Sequence, residues 1–190
     1  GNATYVDSNG LIKTAYRNYA AYSDFVNGWQ TAGSLTIANQ TTIVNPFNGY
    51  DGVAKLHGTS VSTPIAYLDG VNVQGTISVY AKAETSSTFN IISQPVDQST
   101  CSAVTFNLLT ETIVDTYGGA TGSIENVGNG WYRCIMLPSH VSRFIILNPH
   151  NTDSGNVVYS SIGRTTNTGA YGIYFYGIQN VDSITEAGDY

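Results

Sequence analysis

The chain has 190 residues, of which only 11% are charged and 12% aromatic, with fourteen tyrosines, a profile that argues against helical bundles and coiled coils. Seven Lys and Arg against thirteen Asp and Glu give a net charge of −6. The counterion-release energy that drives nucleic-acid binding is therefore missing, and nucleic acid and anionic membrane surfaces are not expected partners.

Residues 1–20 carry little pattern and are read as an N-terminal lead-in or edge segment, with one short strand at Leu11–Ala15. Residues 21–190 form the domain proper. Its turns are marked by Asn27-Gly28, Asn48-Gly49, Asp51-Gly52, Asp69-Gly70, Gly118-Gly119, Asn129-Gly130 and Ser154-Gly155, pairs that accept positive φ cheaply. Strands are expected between them at Ser34–Ala38 and Val53–His57. In the segment Thr76–Ala83, Ile77, Val79, Ala81 and Ala83 alternate with Thr76, Ser78, Tyr80 and Lys82, which predicts one apolar and one wet face. Further strands are expected at Thr88–Ser93, Ala103–Leu109 and Gly122–Glu125. Trp131–Leu137 has no fully polar face and reads as an interior strand. Arg143–Leu147 and Val157–Ile162 follow, and Tyr171–Ile178, β-branched and aromatic with two glycines, reads as a central strand. No segment has a helical period. Many short strands without helical crossovers predict an all-β fold, an antiparallel β-sandwich built as a jelly roll of two facing sheets.

The longest apolar runs are four-residue blocks such as Phe144–Leu147, too short to span a bilayer, so no membrane insertion is expected. The first residues lack both an initiator Met and a signal peptide, and the expectation is a chain cut from a longer protein. Cys101 and Cys134 are too few for a disulfide framework and are read as two buried free thiols.

Motifs for catalysis are missing from the sequence. His57, His140 and His150 stand at no metal-ligand spacing, and there is no Gly-x-Ser-x-Gly elbow. The Asp and Glu residues offer no defensible carboxylate pair, so a non-enzymatic role is expected. The oxygen-rich segment Asn148–Asn156 has ligands of the kind calcium wants but lacks the alternating acids of an EF-hand, and is read as a turn, with calcium the one candidate ion. Tyrosine is the residue type that stands out. Strand aromatics such as Trp131, Tyr174 and Tyr176 are assigned to the framework. Those near turns, Tyr50, Tyr67 and Tyr117, are the candidate carbohydrate contacts, since a flat apolar ring stacks on a sugar while neighbouring amides and hydroxyls satisfy its polar groups.

Several segments together resemble a carbohydrate-binding-module-like jelly roll found in tailed-bacteriophage tail fibres, tail spikes and other appendages. The lead-in Ala3–Ala15, then Arg17-Asn18 and Tyr22-Ser23-Asp24-Phe25 followed by Trp29, is similar to the opening of that module. Gly52, Lys55 and Leu56 match loosely, and Gly75–Ala83 matches a Phe-Ser-Val-Tyr-x-Lys-Ala strand. The sharpest block, Ala120–Cys134, nearly reproduces an Ile-Glu-x-Val-Gly-Asn-Gly-Trp-Tyr-Arg core. Gly172–Gln179 is similar to the closing strand, with Tyr176 where the family usually has Trp. The loops at 45–52, 60–72 and 138–156 depart from the family, and loops are where specificity resides. The resemblance implies a location in the virion, host cell-surface glycan and other virion proteins as partners, and a homotrimer of the kind tail fibres form. The alternative is a structural or capsid-decoration module whose aromatics are buried in protein contacts.

Overall fold

The computed structural model describes residues 4–6, 10–14, 20, 25, 27–59, 64–97, 100–151 and 169–181. The expected strand at Val157–Ile162 lies outside them. Two antiparallel sheets of six strands face each other, and the fold is an all-β jelly-roll sandwich. Among the described residues there is no helix, and so none long and apolar enough to cross a membrane.

The lead-in contributes β1 (Thr4–Val6) and β2 (Ile12–Thr14), which pair with each other as a separate ribbon. The sandwich strands are β3 (Gln30–Ala32), β4 (Thr36–Gln40), β5 (Val53–Gly58), β6 (Ile65–Leu68), β7 (Thr76–Ala83), β8 (Thr88–Gln94), β9 (Ser102–Asn107), β10 (Thr112–Tyr117), β11 (Thr121–Gly128), β12 (Trp131–Leu137), β13 (Phe144–His150) and β14 (Tyr171–Val181). The first sheet runs β10-β9-β8-β13-β6-β3 and the second β11-β12-β7-β14-β5-β4. Period-two alternation directs the apolar members of each strand inward. Phe89, Ile91, Val104, Phe106, Ile145 and Leu147 of the first sheet meet Leu56, Ile77, Val79, Met136, Ile173 and Phe175 of the second in one continuous core.

Three expectations need correction. Strands β3, β6 and β10 lie where no strand was expected: β3 and β10 are largely exposed edge strands, and β6, paired on both sides, is only four residues long, which leaves little alternation to detect. The side of β7 predicted to be wet is covered: Thr76, Ser78 and Tyr80 are buried along with Ile77 and Val79. Asn148–His150, predicted to open a turn, are strand instead, since β13 continues through His150 with its amides buried, and positions 152–156 lie outside the described residues. Pro149 is tolerated there because β6 pairs only with Ile145–Leu147, so the proline interrupts no ladder on that side. The amides are satisfied within the sheet: Thr105 donates to Asn90 Oδ1 (2.7 Å), Asn90 Nδ2 to Asn148 Oδ1 (3.1 Å), and Asn148 Nδ2 to the Pro64 carbonyl (2.6 Å).

Candidate functional site

The site lies on the outer face of the second sheet, and the β11–β12 hairpin helps to shape it. Gly128, Asn129 and Gly130 turn the chain with φ of 90°, 55° and 75°, a run of positive φ that only a Gly-Asn-Gly sequence enters without large strain. The turn delivers Trp131 and Arg133 to the outer face, while Cys134 and Met136 enter the core. Cross-strand register then sets two rows across the sheet. One runs Glu125, Arg133, Tyr80, Tyr176 and the other Trp131, Lys82, Tyr174, Lys55, Ala38.

The segment from Ile43 to Gly52 folds over part of this face. Asn45 is its organiser: its Oδ1 accepts from the backbone N–H groups of Phe47 (2.8 Å) and Gly49 (2.9 Å), and its Nδ2 donates to the Asp51 carbonyl (3.2 Å). The buried Trp131 anchors the segment by donating its indole N–H to the Val44 carbonyl at 2.9 Å. Phe47 packs edge-on to Tyr80, with centroids 5.4 Å apart, and tilted against Tyr176 at 5.9 Å. Phe47 stays 52% exposed and Tyr50, three residues on, 60%. Gly52 is needed beneath them: at φ 72° a Cβ there would lie 3.0 Å from the Tyr176 ring.

Beside this wall lies a ledge. Tyr174 is half-buried, with Lys82 and Lys55 as its cross-strand neighbours and Lys55 Nζ 5.9 Å from its ring centroid. Lys55 Nζ donates to Glu84 Oε1 at 2.7 Å, and the Thr85 N–H donates to Glu84 Oε2. Burial raises the Glu84 carboxyl, but these hydrogen bonds outweigh it and hold the group below the usual carboxylate value. Gly172 lets the ion pair lie against the strand, since a Cβ there would fall 3.1 Å from Lys55 Cε. Lys82 Nζ donates to the Asn129 carbonyl at 2.7 Å, and the Arg133 guanidinium lies 5.8 Å from the Tyr80 centroid. A half-open aromatic ring flanked by donors and an acceptor can hold a sugar by stacking and hydrogen bonding together.

Of the three tyrosines expected as contacts, Tyr50 lies exposed on the segment that covers part of this face, two residues before Gly52. Tyr67 and Tyr117 occupy the outer face of the other sheet, at separate points of one row running Tyr117, Ala103, Ile92, Ile146, Tyr67, Gln30. Four strand spacings put them roughly 19 Å apart. Tyr67 donates its hydroxyl proton to Gln30 Oε1 and packs against Phe144, while Tyr117 is 39% exposed. Tyr174 and Tyr176, assigned to the framework, stand half-exposed on the outer face instead. The alternation about the buried Phe175 carried that signal.

A concavity of about 400 Å³ opens between the edge strands β3 and β4, lined by Phe25, Trp29, Thr31, Thr36, Ile37 and Asn39 among others. Trp29 packs on Phe25 with centroids 4.8 Å apart. At one end of the sandwich His140 is wedged among serines, its Nε2 2.9 Å from Ser93 Oγ and its Nδ1 3.3 Å from Ser102 Oγ. Ser93 and Ser102 are fully buried, so their contacts with His140 brace this end of the sandwich. Both cysteines are free and buried, as expected. Among the described residues no three His, Cys, Asp or Glu side chains gather as a metal centre would require.

The sandwich is similar to a bacteriophage tailspike domain. That solved structure, the enzymatically active domain of tailspike protein 4 of bacteriophage CBA120, matches with a TM-score of 0.50 and 13% identity over 86% of this chain. This chain covers 21% of the tailspike domain. A mutant of the family 29 carbohydrate-binding module CBM29-2 matches with a TM-score of 0.47 and 10% identity, over 89% of this chain and 86% of that one. No protein-family model and no curated protein sequence matches the chain. At these identities the likeness establishes the fold alone.

Proposed function

We propose that this domain is a non-catalytic module that recognises host surface glycan as part of a bacteriophage virion appendage. The observation that carries the reading is the ledge on the second sheet: Tyr174 half-exposed between Lys55 and Lys82, walled by a segment that presents Phe47 and Tyr50 to solvent. A rigid loop over a rigid sheet holds these rings in place before a ligand arrives, which lowers the ordering cost of binding. Tyr174 supplies the stacking platform and Tyr50 the rim. The phage setting follows from the resemblance of the Ala120–Cys134 and Gly172–Gln179 blocks to appendage modules, and the tailspike likeness agrees with it.

One such ledge is small, so binding by a single copy is weak and useful affinity comes from several copies on a particle, as a trimeric appendage would provide. The test is retention of the multimerised domain on an array of bacterial surface glycans, with and without a calcium chelator. A chemically coherent subset of retained glycans is expected, and the chelator arm shows whether calcium takes part. A folded, multivalent sample retained by no glycan would refute the reading and move the role to protein contacts within the virion.

A further inference from the structure

The outer face of the second sheet gathers three of the chain's seven Lys and Arg residues in an otherwise acidic protein. Their immediate surroundings differ. Lys55 is paired with Glu84 at 2.7 Å. Arg133 stands opposite Glu125 in the ladder. Lys82 has no carboxylate across from it: its cross-strand neighbours are Trp131 and Tyr174, and its Nζ donates to the neutral carbonyl of Asn129. An ammonium has three donors, so that bond leaves the group able to donate further. The half-buried ring of the ledge therefore has a cation beside it that, among the described residues, faces no carboxylate across the ladder, and the carboxylate two residues further along the chain, Glu84, is held by Lys55.

We infer that the glycan bound at this ledge carries an anionic substituent, a carboxylate or phosphate on or next to the ring stacked on Tyr174, and that Lys82 recognises it. The inference rests on the glycan-binding reading and narrows it to acidic polysaccharides. A neutral sugar would satisfy Tyr174 equally well, but Lys82 would then donate to a neutral hydroxyl and gain none of the attraction between opposite charges. The net charge of −6 repels a polyanion at range, but at physiological ionic strength this repulsion is screened beyond about 8 Å, so selection is made at contact. Lysine is a compact point charge and does not distinguish a carboxylate from a phosphate by shape, so the experiment separates the two sources.

The test presents the multimerised chain with bacterial polysaccharides in matched pairs, a native uronate-containing form and the same backbone with its carboxylates reduced to hydroxymethyl groups, together with a phosphodiester-linked glycan. At least one acidic form is expected to be retained about tenfold more strongly than its neutral counterpart, the scale of one charge-assisted hydrogen bond. Lys82→Gln should bring retention of the acidic form down to that of its neutral counterpart, and Tyr174→Ala should remove both. Lys55→Gln, at the cation already paired with Glu84, should reduce the preference less. Retention of the phosphate glycan in place of the uronates keeps the anionic class and names its source. Equal retention of acidic and reduced forms, or a Lys82→Gln protein with its preference intact, overturns this inference while leaving glycan binding standing. Retention of nothing overturns both.

Discussion

Replacing Trp131 with Ala tests how the ledge is supported. The ring is 0% exposed and packs with Val53 and Tyr80, against which Ile43, Val127, Tyr174 and Tyr176 also rest. Burying an indole removes on the order of 200 Å² from water, about 5 kcal/mol at roughly 25 cal/mol/Å². The retained Cβ and partial collapse of the overlying segment recover some of this, so the expected loss is about 3–5 kcal/mol. With a urea m-value of about 2 kcal/mol/M, the unfolding midpoint should fall by about 2 M. Trp131→Phe keeps most of the packing and loses the bond to the Val44 carbonyl, and should cost only about 1 kcal/mol beyond the smaller ring. The assay is equilibrium urea unfolding followed by circular dichroism. An alanine variant whose midpoint matches the parent would refute the account of Trp131 as the anchor of the segment and of the aromatic face.

Other consequences can be checked on the same protein. Gly118→Ala should destabilise by about 2 kcal/mol or more, because at φ 62° its Cβ would run into the Cys101 carbonyl and lie 3.1 Å from Ser102 Cα; a thermal melt reads this, and a neutral result would contradict the tight β9–β10 approach. Burial lowers the His140 pKa against smaller opposing contributions from Ser93 and Asp97, so its contribution to stability is fully present above the ordinary imidazole value of about 6.5 and is lost as pH falls below it. His140→Asn should flatten that part of the stability profile between pH 7 and 5, and an unchanged slope would count against the assignment. Cys101 and Cys134 are buried and burial raises both thiol pKa values, so neither should react with a thiol reagent until the protein unfolds, when two should titrate. Tyr174→Ala should weaken glycan retention by about 1–3 kcal/mol with no matching loss of folding stability, read by retention and melting side by side.

The core strands were legible because their residues obey a strict period. Ile77, Val79 and Ala81 alternate with polar partners and face the core as expected, and the turn at Gly128–Gly130 is written in residues that accept positive φ. The edge strands of the first sheet were not legible: Gln30–Ala32, for one, is three residues long and exposed, and leaves no apolar stripe to read. The burial of Tyr80 depends on a cover supplied by Phe47, some thirty positions upstream, which no local pattern encodes. For the same reason the ledge escaped notice. The alternation about the buried Phe175 puts Tyr174 on the outer face, but only the long-range register sets it between Lys55 and Lys82. Tyr50 was legible through its turn. The separation of Tyr67 and Tyr117 from it was not, since sheet membership is decided by long-range pairing.

The most direct test of the central claim is chemical-shift mapping of the isotopically labelled domain titrated with an oligosaccharide from a retained glycan. The account predicts that the perturbed amides and side chains cluster at Tyr50, Lys55, Lys82 and Tyr174. Perturbations confined to the row between Tyr67 and Tyr117, or to the cleft lined by Trp29 and Asn39, would contradict it.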